Sequence, residues 1–313
     1  MPPMRYWTAN DISDQSGRTA VVTGANSGLG LETAAALAAH GATVVMASRN
    51  ADRLQAAMAE VRRRHPDAVL EPAIVDLAAL ASVREAVGGI LTDHPKIDLL
   101  IDNAGVMAIP RTETADGFEM QFGTNYLGHF AFTGLLLPAM VSTAGSRVVA
   151  VTSQVRRIGR IDFADLHGRA RYGRWKAYSQ SKFADLIFAV ELDRRLRSAK
   201  AETIAVAAHP GYAATNLQTG TSWLQSSYYA IGNALFAQPA YAGAWPQLYA
   251  ATAADVHGGE LYGPGQAGGM RGYPKRDRIE ARALDPAIGR RLWEVSVAAT
   301  GVGYDALTAG GAT

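Results

Sequence analysis

The 313-residue chain has no cysteine, which excludes a disulfide framework, a thiolate zinc site and a catalytic thiol together. It also lacks an excess of either charge. Thirty Lys and Arg stand against 28 Asp and Glu, for a net charge of +2, so nothing in the composition points to nucleic acid or a membrane surface. No uninterrupted apolar run approaches the roughly 18 residues that suggest a membrane span. Residues 1–17 are polar and mixed, and read as an N-terminal arm, not a signal peptide. A cytoplasmic location is the expectation. His40, His65, His94, His129, His167, His209 and His257 show no metal-ligand spacing, so they read as structural or solvated and no metal is expected.

What is present is an ordinary globular composition, 48% hydrophobic and 19% charged. From Arg18 onward, short β-branched runs alternate with longer Ala/Leu-rich amphipathic stretches, the rhythm of βαβ units building a parallel sheet. Strands are predicted over 19–23, 43–48, 69–75, 97–102, 147–152 and 203–208, with a short last strand at 261–262. Helices are predicted over 29–39, 51–64, 77–91, 118–141, 177–197 and 286–299, with a bend near Asn125 and Gly128. There is no repeat, low-complexity linker or shift in composition. The expected fold is a single α/β domain over 1–313, a Rossmann-type doubly wound parallel sheet with helices on both faces.

The first strand ends in Thr23-Gly24-Ala25-Asn26-Ser27-Gly28-Leu29-Gly30 and runs straight into a helix. Gly24 permits a sharp turn off the strand, Gly28 lets backbone approach a pyrophosphate, and Gly30 allows close helix–strand packing. The helix N-terminus offers unpaired N–H groups and partial positive charge to phosphate. A glycine turn alone is often only a turn, but strand, turn and helix in this order read as a dinucleotide site. Gly24, Asn26, Ser27, Gly28, Leu29 and Gly30 are its expected contacts. About 20 residues past such a turn an acid usually holds the ribose 2′-hydroxyl of NAD. Here Ser48-Arg49-Asn50 follows the second strand with no acid. A guanidinium pairs with a 2′-phosphate where an acid would repel it, so NADP(H) is the expected cofactor, with Ser27 as a further donor.

Ala177-Tyr178-Ser179-Gln180-Ser181-Lys182 opens a long helix and puts Tyr178 and Lys182 one turn apart on one face. A phenol of pKa about 10 is a poor base, but a neighbouring ammonium and an oxidised nicotinamide both favour its anion. Tyr178 is then fitted to exchange a proton with a carbonyl or alcohol oxygen. Tyr and Lys at this spacing are common in helices, and the pair alone decides nothing.

With the other segments beside it, the chain resembles the short-chain dehydrogenase/reductase family over nearly its whole length. Asp102-Asn103-Ala104-Gly105 is similar to the family's Asn-Asn-Ala-Gly element, with Asp102 in place of the first Asn, a minor departure. The resemblance implies that Asn103, Ala104 and Gly105 support the sheet and contact the adenosine side of the cofactor, and that Asp76-Leu77 cradles adenine. Thr124-Asn125-Tyr126-Leu127-Gly128-His129 resembles the helix carrying the catalytic Asn, which would make Asn125 hold a water linking Lys182 to solvent. By the same resemblance Ser153 hydrogen-bonds the substrate oxygen, while Pro210, Gly211 and Thr215 hold the nicotinamide, with Tyr178 and Lys182 also touching the cofactor. The implied catalytic set is Asn125, Ser153, Tyr178 and Lys182.

Ser153 and Tyr178 are 25 positions apart, a longer gap than most of the family uses. The insert, 154–176, carries six arginines around Ile158-Gly159-Arg160 and resembles retinol dehydrogenases and the WW-domain oxidoreductases. Its arginines read as a solvated loop, or as an attractor for an acidic substrate group. Residues 212–238 are rich in Leu, Trp, Tyr and Phe and read either as an apolar substrate loop or as helices packing on core or partner. The leading expectation is an NADP(H)-dependent oxidoreductase acting on a small apolar carbonyl or alcohol. A catalytically silent NADP(H)-sensing protein is the alternative, disfavoured by the complete catalytic set. A nucleotide-sugar epimerase would need another glycine spacing and a larger C-terminal domain. A homodimer or homotetramer is what the family resemblance implies.

Overall fold

The computed structural model describes residues 6–211 and 239–308. Eight strands form one sheet in the order β3-β2-β1-β4-β5-β6-β7-β8. They are β1 (Thr19–Thr23), β2 (Thr43–Ser48), β3 (Leu70–Ile74), β4 (Leu99–Asp102), β5 (Arg147–Val151), β6 (Ile204–Ala208), β7 (Leu261–Gln266) and β8 (Arg271–Arg276). The first seven run parallel and β8 pairs antiparallel with β7. The order reverses between β1 and β4, and open α/β sheets bind ligands at such a switch, outside the carboxyl ends of the strands.

The helices are α1 (Gly28–Ala39), α2 (Ala51–Arg64), α3 (Leu80–Asp93), a single turn α4 (Met120–Phe122), α5 (Gly128–Val141), α6 (Arg174–Ser198), α7 (Ala240–Thr252) and α8 (Pro286–Thr300). Strand side chains alternate between faces, so neighbouring residues enter different cores. Val21, Val45, Leu100 and Val148 join one with Phe130, Phe188 and Trp293. Ala20, Val44, Leu99 and Val149 join the other with Leu37, Leu54 and Leu248. Both faces are therefore covered, as the apolar strand runs predict.

Three differences from the sequence reading have local causes. Helix α3 starts at Leu80, not 77, because Asp76 Oδ1 accepts from the Ala78 amide at 3.0 Å and turns the chain first. The expected bend in the long helix is a π-helical turn over Gly123–Leu127, between α4 and α5. The third concerns β8, which was not foreseen. Its sequence, Arg-Gly-Tyr-Pro-Lys-Arg, has little strand propensity, and proline with charge is what an exposed edge tolerates.

The insert is folded onto the body of the protein. Arg156 is 0% exposed and pairs with Asp277 at 2.8 Å and Glu280 at 3.5 Å; the solvated reading fails for this arginine. Gly159 explains the Ile-Gly-Arg signature in physical terms. A Cβ there would lie 2.2 Å from the Ser179 carbonyl oxygen and 2.7 Å from the Phe183 Cβ, so only glycine lets the insert lie against α6. Gly159→Ala should lower stability by about 1–3 kcal/mol, the usual cost of overpacking, read as an earlier midpoint in urea unfolding followed by circular dichroism. An unchanged midpoint would show that the insert shifts freely.

Candidate active site

The residues singled out in the sequence lie at the carboxyl ends of β1 to β6. Gly24 (φ +67°) and Gly28 (φ +55°) take left-handed conformations after β1. Ser27, at the head of α1, makes no side-chain cap, so the first amides of the helix remain available for an anion. A Cβ on Gly30 would meet the Gly24 carbonyl oxygen at 2.3 Å and Asn103 Nδ2 at 2.6 Å. These features fit a dinucleotide pyrophosphate: a glycine turn packed closely on Asn103, leading into an uncapped helix end.

Asn103 and Ala104 build the cradle from below. Both of their amides donate to Thr23 Oγ1, at 2.8 and 2.9 Å, and Asn103 Nδ2 donates to the Thr23 carbonyl at 2.8 Å. Across the turn, Ser48 Oγ donates to Asn26 Oδ1 at 3.0 Å and ties the end of β2 to it. Arg49 is exposed. It forms no ion pair among the described residues. Asp76 closes its own turn, and Leu77 is buried beneath it. At the end of β6, Gly211 (φ +70°) follows Pro210, and its amide donates to His209 Nδ1 at 3.2 Å. His209 Nε2–H must then be the donor to Asp277, at 3.0 Å. Thr215 and the 212–238 loop lie outside the described residues.

The catalytic candidates converge on α6. Tyr178 is 6% exposed and Lys182 5%. Burial pushes the Tyr178 phenol up, the Lys182 charge and a Ser153 hydrogen bond pull it down, and Asp185 adds to the rise. The net direction is upward, which favours the neutral phenol. Lys182 Nζ donates to the Val151 carbonyl and to Asp185 Oδ2, each at 2.9 Å. Burial disfavours its charge, but Asp185 and Tyr178 overcome this and raise its pKa.

Asn125 sits within the π-helical turn, fully buried. Its Nδ2 donates to the Val106 carbonyl and to Ser181 Oγ, both at 2.9 Å, while Oδ1 accepts from the Val106 amide at 2.7 Å. Both N–H donors of the side chain are thus used. Its carbonyl accepts from His129 Nδ1 at 2.7 Å. The other ring nitrogen, Nε2, lies 2.9 Å from Thr23 Oγ1. Burial drives the His129 pKa down to about 3, so the ring is neutral and the Thr23 hydroxyl donates to it. Thr23, His129 and Asp185 did not stand out in the sequence as site residues. Asp185 carried a signal, an acid three positions past Lys182 on the same helix face.

The substitution at Asp102 is more than minor. Its carboxyl is buried, Oδ2 accepts from Thr133 Oγ1 at 2.7 Å, and Oδ1 has no partner among the described residues. Burial, opposed by Thr133 and reinforced by Asp185, pushes its pKa up to about 8.

With this geometry, the match to known proteins is decisive. Residues 18–223 match the model of the short chain dehydrogenase family. The chain belongs to that family. It is 38% identical to mouse retinol dehydrogenase 14 over 91% of its own length and 86% of that protein. It is 39% identical to mouse polyprenol dehydrogenase over 93% of this chain and 86% of that one. A crystal structure of an uncharacterised Mycobacterium paratuberculosis protein superposes with a TM-score of 0.80 at 41% identity, covering 96% of this chain and 99% of that one. The chain is an oxidoreductase of the retinol dehydrogenase-like subgroup. Among the described residues no helix is long and apolar enough to cross a membrane, and no His, Cys, Asp and Glu cluster suits a metal.

A carboxyl that is ionised when unfolded (near pH 4) but protonated when folded until about pH 8 makes the native state bind more protons. Wild-type stability therefore falls as pH rises through that window. Asp102→Asn removes the effect. The melting temperature of the variant relative to wild type should climb between pH 5 and pH 8 and level off above it, measured by calorimetry. A pH-independent difference would place a charged Asp102 in the native state.

Proposed function

We propose that this chain is an NADP(H)-dependent dehydrogenase that interconverts an apolar alcohol and its aldehyde or ketone, with Tyr178 as acid and base. The observation that carries this is the buried Tyr178 phenol, flanked by Ser153 and the charged Lys182, at the sheet edge that also holds the glycine cradle. The nicotinamide, when bound, supplies or removes hydride at the substrate carbon. Everything else falls to the protein. In reduction Tyr178 gives its proton to the carbonyl oxygen as negative charge builds there; in oxidation the phenolate takes the proton of the alcohol. The Ser153 hydroxyl complements that developing charge from a fixed position. Lys182 stabilises the phenolate left behind.

Preference for NADP(H) is supported by Arg49, exposed just beyond Ser48 at the end of β2 with no acid beside it. A guanidinium there suits a 2′-phosphate. The apolar class is supported by the names of the relatives, since retinol and polyprenol are both alcohols on long apolar chains, and by the aromatic composition of 212–238.

Titration with both reduced cofactors should show NADPH binding at least about tenfold more tightly than NADH, the scale of one charge-assisted contact. Arg49→Glu should reverse the order. Equal affinities in the wild type would reject the cofactor assignment. Tyr178→Phe should bind NADPH within about threefold of wild type yet lose about two or more orders of magnitude in kcat, the usual contribution of general acid catalysis. Retained turnover in that variant would remove Tyr178 from the mechanism.

A further inference from the structure

We propose that Asp185 is a positioning residue for the acid–base pair: its carboxylate fixes Lys182 in place and partly cancels the charge that the ammonium presents to Tyr178. The proposal rests on Tyr178 and Lys182 being that pair.

An ammonium has three N–H donors. In Lys182 one goes to the Val151 carbonyl at the end of β5 and one to Asp185 Oδ2. A single donor is left to face Tyr178 or the cofactor. The contact is not an exposed helix pair of the kind worth a few tenths of a kcal/mol, because both side chains are 7% exposed. With water excluded, neither charge is screened, and each is felt across the site.

The surrounding groups leave Asp185 as the counter-ion. Asp102, on β4, is protonated below about pH 8, its buried Oδ1 having no partner among the described residues. His129, on α5, is neutral because its two nitrogens are committed as one donor and one acceptor. Tyr126 shares a hydrogen with Ser296 Oγ at 2.6 Å, and Tyr304 donates to the Phe130 carbonyl at 2.7 Å, so both phenols keep their protons. Below about pH 8, Lys182, Asp185 and Tyr178 are then the three groups among which charge is distributed. A phenolate at Tyr178 meets one positive and one negative neighbour. The pair therefore holds the lysine charged and in place, at the cost of a weaker pull on the tyrosine proton.

Asp185→Asn separates charge from geometry, because the amide oxygen still accepts from Lys182 Nζ. The tyrosine ionisation band of the wild type minus that of Tyr178→Phe isolates Tyr178, without cofactor or substrate. Introducing Asp185→Asn into both members should lower this midpoint by about one pH unit, the low end of what a neighbouring charge does. The acidic limb of the kcat profile for alcohol oxidation should move down with it, while KM for the cofactor changes by less than about threefold. Should Asp185→Asn not fold, Asp185→Ser is expected to shift the midpoint in the same direction. A midpoint that is unchanged or raised in the folded Asp185 variant overturns the proposal. A lowered midpoint in a protein that turns over no apolar alcohol or aldehyde would keep the electrostatic role of Asp185 and reject the dehydrogenase reading.

Discussion

The carboxyl edge of the sheet is organised around one hydroxyl. Thr23 Oγ1 accepts from the amides of Asn103 and Ala104 and donates to His129, whose far nitrogen donates to the Asn125 carbonyl. The end of β1, the turn after β4 and the π-helical turn before α5 are thereby locked to one another. These three segments carry the glycine cradle, its floor and Asn125. A buried donor or acceptor left without a partner costs about 1–3 kcal/mol, so the network holds its register because any slip would orphan several groups together. The glycine turn and Asn125 are consequently tied into one hydrogen-bonded unit.

The same logic accounts for the π-helical turn. An interruption in a helix frees backbone groups that need new partners. Here the Asn125 main-chain carbonyl accepts from His129, while its side chain clasps both backbone groups of Val106. The irregular turn lets Asn125 pin the loop after β4 against α6, through Ser181. Lys182 follows Ser181 directly, so its position against β5 depends on that clasp as well as on Asp185.

How much of this could be read from the sequence follows from which interactions are local. The glycine turn, the strands at 19–23 and 43–48, and Tyr178 with Lys182 depend on neighbours within a few residues, and their patterns are visible in one dimension. Asp102 was noted only as a substitution, because its energetic meaning comes from Thr133 and Asp185, 31 and 83 positions on. Thr23 looked like an ordinary strand residue, since a β-branched residue there needs no further explanation. Arg156 looked solvated because arginines usually are, and only Asp277 and Glu280, brought in from the far end of the chain, make its burial tolerable. β8 was hidden by the very proline and charges that suit an edge strand.

That last cluster gives the long insert a mechanical meaning. Asp277 accepts from Arg156, in the first turn of the insert, and from His209, at the end of β6. Arg156 also reaches back to the Ser153 carbonyl at 3.3 Å. One carboxylate thus joins the strand end bearing Ser153 to the one that leads through Pro210 and Gly211 toward the 212–238 loop. Its pKa is held well below the usual carboxylate range, burial notwithstanding, by His209, the Arg278 amide and Arg156. These contacts favour its charged form. Arg157, half exposed, adds a second guanidinium to the same carboxylate at 3.3 Å. Arg156, three positions past Ser153, is thus the buried guanidinium through which the half-buried Asp277 carboxylate joins two strand ends.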